Sequence, residues 1–287
     1  MTPVELLDWA ISNIDPRDEA AMISASEKLA ELQRNRDFFI EALRFELESA
    51  AAGGSTMSRM TSSQAFSFGA ISCGEISFVI RCALWIPVLA RTQASVDLYN
   101  KTYSYLTPHN HNFSLLTIGY HGPGYETTIY EYNREQTKGC AGEHIEVKFR
   151  ERTRLSEGKI IYFRPLIDIH TQLHPTDTSI SLNLIGEHDD HITQAQYEFD
   201  LNTPHIRGPL NGNVVTKQLI AFKLAAELTT GDEFTDILEY IARRHHSEHI
   251  RTESIRTLLR VAGSDRDRWE AISVNDTHPY VRGLCSI

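Results

Sequence analysis

Apolar side chains recur at helical spacing over the first fifty residues. Leu6, Leu7, Ile11 and Ile14 fall every three or four positions, and Asp15-Pro16 then punctuates the run. Ile23, Leu29, Leu32, Phe38, Phe39, Leu43 and Leu47 mark the apolar side of a longer helix, so Pro3 to Glu48 reads as helical. Ala50 to Ser63, with Gly53-Gly54-Ser55-Thr56, reads as a linker. From Ile76 the pattern becomes β-like. Ile76 to Trp85 predicts a mostly buried strand ended by Pro87. Further runs predict strands at Phe113–Tyr120, Thr127–Tyr132, Ile145–Arg150, Lys159–Arg164, Leu166–Leu173 and Ser179–Ile185. Turn residues separate them: Gly122-Pro123-Gly124, Gly139, Gly142, Ser156-Glu157-Gly158 and Pro175-Thr176-Asp177. Short strands in this rhythm predict a sandwich or barrel. After Gly208-Pro209 the helical period returns through Val215, Leu219, Phe222, Leu224 and Leu228, then Phe234, Ile237, Leu238 and Ile241.

Composition narrows the function classes. A chain of 287 residues has ample core for one large domain or two modest ones. Its net charge of −10 argues against general nucleic-acid binding, which needs a basic footprint. No apolar run reaches the roughly 20 residues of a membrane span, and the polar, acidic N-terminus does not read as a secretory signal. Cys73, Cys82, Cys140 and Cys285 lack C-x-x-C spacing, which predicts free thiols in a reducing cytoplasm.

The candidate chemistry centres on Pro108-His109-Asn110-His111-Asn112-Phe113. Residues two apart on an extended segment share a face, so His109 and His111 can converge on one ion, with Cα atoms roughly 7 Å apart. Asp168-Ile169-His170 supplies a third histidine from another β-like run. Imidazole suits iron, zinc, copper and nickel alike, so three histidines do not choose a metal. Three neutral ligands leave the ion's charge uncompensated, which favours anionic, chelating substrates. Asp168 lies two residues before His170 and is either a fourth ligand or an acceptor that fixes an imidazole tautomer. Tyr120, Tyr125, Tyr130 and Tyr162 read first as core or turn residues, although one near the metal could act as an acid or hydrogen-bond donor. His121 and His174 read as structural or as neighbours of the ligands. His245, His246 and His249, beside Arg243-Arg244, read as a solvated helical face.

The His109-x-His111 pair and the later His170 resemble the metal motifs of the cupins, small β-barrels with a metal inside. The usual cupin glutamate is absent, since Leu115 and Leu116 stand in its place. The three-histidine set and the stretch Ile169 to Leu182 look most like the thiol dioxygenases of the cysteine dioxygenase family. That resemblance covers about residues 76 to 186 and departs from the family in two places. Leu116 stands where animal-type members carry a cross-linked cysteine, and Ser181-Leu182-Asn183-Leu184-Ile185 replaces their Ser-x-His-x-Tyr. The tail is similar to HEAT-type helical repeats, through the turn Asp276 to Arg282 and an apolar-Arg pair recurring after Ile250-Arg251 at Val281-Arg282.

The resemblance implies a mainly β fold: a cupin-type β-barrel over 64–208, framed by N-terminal helices over 1–63 and HEAT-like helices over 209–287. It implies a cytoplasmic, non-haem Fe(II) oxygenase with His109, His111 and His170 as ligands. O₂ and a small amino-acid-like, thiol substrate would be its reactants, with no nucleic acid and no membrane. Tyr120 and Asp168 are the catalytic candidates. Arg81, Arg91, Arg164 and Tyr162 are the substrate-binding ones. Two alternatives stand beside it. One is hydroxylation or oxidative rearrangement of a non-thiol amino acid or peptide. The other is a non-catalytic binding module whose helical tail docks a protein partner.

Overall fold

Four helices open the chain in the computed structural model, which describes residues 1–54, 59, 62, 64–89, 92–210, 214–228, 234–261 and 265–283. They are α1 (Pro3–Asn13), α2 (Glu19–Ser24), α3 (Ser26–Arg34) and α4 (Asp37–Ala51). A capping box starts α1: Thr2 Oγ1 accepts from Glu5 N, and Glu5 Oε2 accepts from Thr2 N. The Asp18 carboxylate caps α2 through the amides of Ala20 and Ala21. The expected apolar stripe is real: Leu6, Leu7, Ala10, Met22, Leu29 and Leu32 are all buried.

Those helices cover one face of a five-stranded sheet. Its members are β1 (Ala65–Cys73), β2 (Ile76–Trp85), β3 (Ser114–His121), β6 (Ile160–Phe163) and β8 (Ser179–His188), in the order β1-β2-β8-β3-β6. The strands β4 (Glu126–Tyr132), β5 (Val147–Arg154) and β7 (Asp168–Gln172) make a separate three-stranded sheet, β5-β4-β7. Strand periodicity sorts the side chains between two cores. Phe78, Ile80, Cys82, Leu116, Ile118, Tyr120, Leu182 and Leu184 join the helix-facing core. Ala83, Trp85, Leu115, Ile161, Phe163 and Ile185 pack with Tyr125 and Ile129 of the other sheet. This inner core, with Val79 and Phe113 at its margin, is where the metal candidates lie.

No sheet closes into a barrel, and among the described residues more lie in helices than in strands. The mainly β, barrel-type expectation is therefore corrected. Periodicity marks where strands run, but it does not say which strand pairs with which. The Gly122-Pro123-Gly124 turn shows the difference. It carries the chain from β3 in one sheet to β4 in the other instead of closing a hairpin. Gly124 has φ +77°, and a Cβ there would lie 1.9 Å from the Leu155 carbonyl oxygen. A helix the pattern did not predict, α5 (Gln93–Tyr103), starts from a Thr92 cap and buries no side chain fully.

Everything above belongs to one compact unit, Met1–Tyr132 with Val147–Asp189. A second unit comprises Asn133–Glu146 and Asp190–Ile287. Within it, α6 (Asp189–Ile192) precedes the two-stranded sheet of β9 (Tyr197–Asp200) and β10 (His205–Pro209). Then come α7 (Val214–Leu228), α8 (Thr235–Arg244), α9 (Glu248–Val261), α10 (Arg266–Val274) and α11 (Pro279–Arg282). Leu238, Ile250, Ile255, Leu258, Trp269 and Val281 form its core around α9. Arg134 pairs with the buried Glu248, and Tyr197 Oη lies 3.0 Å from His249 Nε2. His249 is thus buried, unlike the solvated face expected for it. Asp276 accepts from the Arg251 guanidinium and the His278 amide, which ties down the turn that opens α11. No helix among the described residues is long and apolar enough to cross a membrane.

Candidate metal centre

The His109–His111 segment precedes β3 and is not itself a regular strand. It lies along β7 instead. His109 and His170 form an antiparallel bridge, with N–H···O distances of 3.1 and 2.9 Å between their backbones. Leu166 N donates to the His111 carbonyl at 2.6 Å, so 109–111 extends the three-stranded sheet by a short rung. Direct opposition brings the side chains of His109 and His170 together, and the two-residue spacing adds His111.

The convergence is at the Nε2 atoms. His170 Nε2 lies 3.2 Å from His109 Nε2 and 3.0 Å from His111 Nε2. Three ligand atoms of the set lie within 4.8 Å of one another, and no other such group of histidine, cysteine or carboxylate occurs among the described residues. With metal–nitrogen bonds of about 2.1 Å, neighbouring nitrogens at right angles stand about 3.0 Å apart and tetrahedral ones about 3.4 Å. The two separations from His170, 3.0 and 3.2 Å, sit at or near the right-angle value, and all three ligand atoms lie within 4.8 Å of one another, so the group is capable of holding a metal ion.

The surroundings agree with the donor chemistry. His109 Nδ1 is 2.8 Å from the Thr107 carbonyl oxygen, which accepts a hydrogen bond from Nδ1–H and leaves the Nε2 lone pair for a cation. Burial, then the neighbouring His109 and Arg81, hold His111 well below the usual imidazole range. Burial, then His109 and His111, do the same for His170. Both rings are neutral, as ligation requires. Phe113 stacks on His111 with centroids 4.5 Å apart, and Phe163 lies 4.4 Å from the His170 ring. These aromatic walls fix the rings and limit water.

The remaining candidates divide by strand parity and by ion pairing. Asp168 stands outside the metal-capable cluster. Its buried carboxylate accepts from Arg150 Nη1 at 2.8 Å and from Arg164 Nη2 at 2.6 Å, as well as from the Arg164 amide. Arg164 also pairs with Glu131, so it is bound into a network on the three-stranded sheet. Tyr120 faces the helices, where Arg36 stands over its ring at 4.2 Å. Tyr162 packs against that same helix-facing core, its hydroxyl 3.1 Å from Ser114 Oγ. Arg81 belongs to the inner side, between the outward-facing Ile80 and Cys82. Its Nε is closed off from solvent with no hydrogen-bond partner, and burial lowers its pKa, only partly offset by Glu187. Arg91 lies outside the described residues, as does Cys285. His121 is exposed, and His174 Nε2 lies 2.6 Å from Asn100 Oδ1. One residue the pattern reading passed over is Gln172, whose amide nitrogen is 2.9 Å from His170 Nδ1. Its position two after His170 is the signal that could have found it.

No family model and no curated protein matches the chain. Solved structures give faint likenesses. A cupin-type protein from Ralstonia eutropha JMP134 matches at 11% identity and TM-score 0.25 over 57% of this chain and 74% of its own. A salicylate 1,2-dioxygenase from Pseudaminobacter salicylatoxidans matches at 10% identity and TM-score 0.25, over 53% of this chain and 33% of its own. A structure of DMSP lyases matches at 12% identity and TM-score 0.23, over 42% of each chain. Scores this low carry no weight for fold or activity. The histidine cluster stands on its own geometry: it is capable of holding a metal ion and is consistent with the catalytic site of a non-haem iron oxygenase.

Proposed function

We propose that the protein is a non-haem iron(II) oxygenase acting with O₂ on a small, anionic, amino-acid-like substrate, with thiols the first class to try. The convergence of three Nε2 atoms, with that of His170 at 3.0 and 3.2 Å from the other two, carries the reading. A bound iron(II) would supply a redox centre that activates dioxygen. The chain's residues do the rest. His109, His111 and His170 would hold the metal through their Nε2 atoms. Their neutrality leaves the cation's charge uncompensated by protein, which favours an anionic ligand. Arg81 supports the same class, because its Nε is closed off from solvent with no hydrogen-bond partner, and the fork of a guanidinium's donors matches a carboxylate. Phe113 and Phe163 exclude water from the rings they cover.

The test begins with protein purified without added metal. Metal analysis should find iron, and O₂ uptake should appear with at least one member of an amino-acid and thiol panel. Uptake should vanish in His170→Ala. Iron-loaded protein that consumes no O₂ with any member of the panel would instead favour a binding module.

A further inference from the structure

A polar row crosses the inner face of the five-stranded sheet. Arg81, Asn183 and Thr117 are direct partners across β2, β8 and β3. Their alternation with Cys82, Leu182 and Leu116 of the helix-facing core turns all three inward. Asn183 is 4% exposed and Thr117 1%. The next row along, Val79, Ile185 and Leu115, is apolar. Polar side chains buried among apolar ones need partners, and these three are only partly supplied.

Thr117 and Asn183 serve each other. Thr117 Oγ1 donates to Asn183 Oδ1 at 2.6 Å. That bond sets which way the carboxamide stands, because a reversed amide would present N–H to the buried hydroxyl and deprive its proton of this acceptor. With Oδ1 turned to β3, the NH₂ group is turned away from Thr117, and β2 with Arg81 flanks Asn183 on its other side. A guanidinium has donors only, and Arg81 Nε is closed off from solvent with no hydrogen-bond partner. An NH₂ group and a guanidinium side by side cannot satisfy each other, whereas an acceptor between them satisfies both. The row also adjoins the histidines, since the charge of Arg81 reaches His111. Glu187, which Arg81 feels as well, already accepts from Ser77 Oγ at 2.9 Å.

We propose that Asn183 is a substrate-binding residue that sets specificity. Its NH₂, oriented by Thr117, donates to one oxygen of a substrate carboxylate whose other oxygen is taken by Arg81. Donors alone accept a carboxylate and reject the carboxamide of the same shape, whose own NH₂ would meet a donor. The inference deepens the proposed function and rests on it for the anionic, amino-acid-like substrate.

Propionate and propionamide are the probes, titrated by calorimetry into the full-length protein under nitrogen, where no turnover occurs. Wild type should bind propionate and show no heat with propionamide. Asn183→Leu removes the donor at similar volume and should weaken propionate by about tenfold. Asn183→Asp sets a carboxylate of the protein's own beside Arg81, so propionate binding should vanish while the melting temperature holds or rises. Thr117→Val releases the amide to turn, and the preference for propionate over propionamide should narrow. A carboxamide at 183 that only filled space would leave the preference unchanged in Thr117→Val, and that result rejects the proposal. Equal binding of the two probes by wild type, or of neither, rejects it as well. His170→Ala should bind propionate as wild type does; loss there would put the carboxylate on the metal and overturn the subsite. Propionate bound by a protein that holds no iron would keep the subsite and reject the oxygenase. Iron and O₂ uptake without propionate binding would do the reverse.

Discussion

The Nε2 atoms of His109, His111 and His170 cluster, and among the described residues no further histidine belongs to that cluster. Alanine at any of the three should cost most of the bound iron and most of the O₂ consumption, read by metal analysis and an oxygen electrode. His174→Ala should keep its iron, since that ring is occupied by Asn100 and Tyr105. Arg81→Leu should also keep its iron but raise KM for an anionic substrate by tenfold or more, as loss of a charge-assisted bond of about 1.5–3 kcal/mol implies. An unchanged KM would remove Arg81 from substrate binding. Asp168→Asn should behave differently from all of these. It breaks a buried carboxylate's pairing with Arg150 and Arg164 and should lower stability by about 3 kcal/mol in a denaturant titration. Its iron content should be preserved, whereas a true ligand would lose iron. The His109–His111 pair was legible because its spacing is local, whereas the meeting with His170 is made across the β7 bridge. The sequence could not show that Asp168 was claimed by Arg150 of β5, a contact made across strands. Tyr120 was legible and passed over: an even-numbered residue on β3 faces away from Leu115, on the side of Leu116 and Ile118.

At the level of elements, periodicity located β2 over the residues expected and most other strands to within a few positions. It missed β1, whose Ser67, Gly69, Ser72 and Cys73 dilute the β-like signal, and it missed the weakly apolar α5. Pairing partners are beyond its reach, so periodicity leaves sandwich and barrel open, and the barrel that the resemblance implied is not what the two open sheets form. The turn between those sheets is testable. Gly124→Ala places a Cβ against the Leu155 carbonyl at a left-handed φ, so unfolding should become easier by about 2 kcal/mol. A second expectation concerns α9 and α11. His245, His249 and His278 all lie below the usual 6.5, with burial the first cause in each case. The folded unit thus favours their neutral forms, while unfolded histidines gain protons at the ordinary value. Stability is full above pH 6.5 and declines as pH falls toward the lowered values. Between pH 6.5 and 5, amides of α9 should lose hydrogen-exchange protection; protection that stays constant across that window would contradict this.

For the whole molecule, the division of labour follows the two compact units. All three histidines, Arg81 and Gln172 belong to the unit that ends at Asp189. Removing 245–287 strips away Ile250, Ile255, Leu258 and Trp269, the core of the other unit. The shortened protein should melt at a lower temperature and still bind iron stoichiometrically. Iron lost from a truncation that remains folded would place part of the centre elsewhere.

The position of β8 has a consequence for how the chain is made. It is the middle strand of the five, flanked by β2 and β3, yet it is the last of them in the sequence. A ribosome releases β2 and β3 long before the strand that joins them. Their inner edges must wait, exposed and apolar, until Ser179–His188 emerges. His170 is already out by then, but the wall behind it is not. A nascent chain stalled so that only residues up to 175 have left the ribosome should be protease-sensitive and slow to take up metal. Extending it past His188 should confer both resistance and uptake in one step, because that strand completes the sheet and the enclosure together.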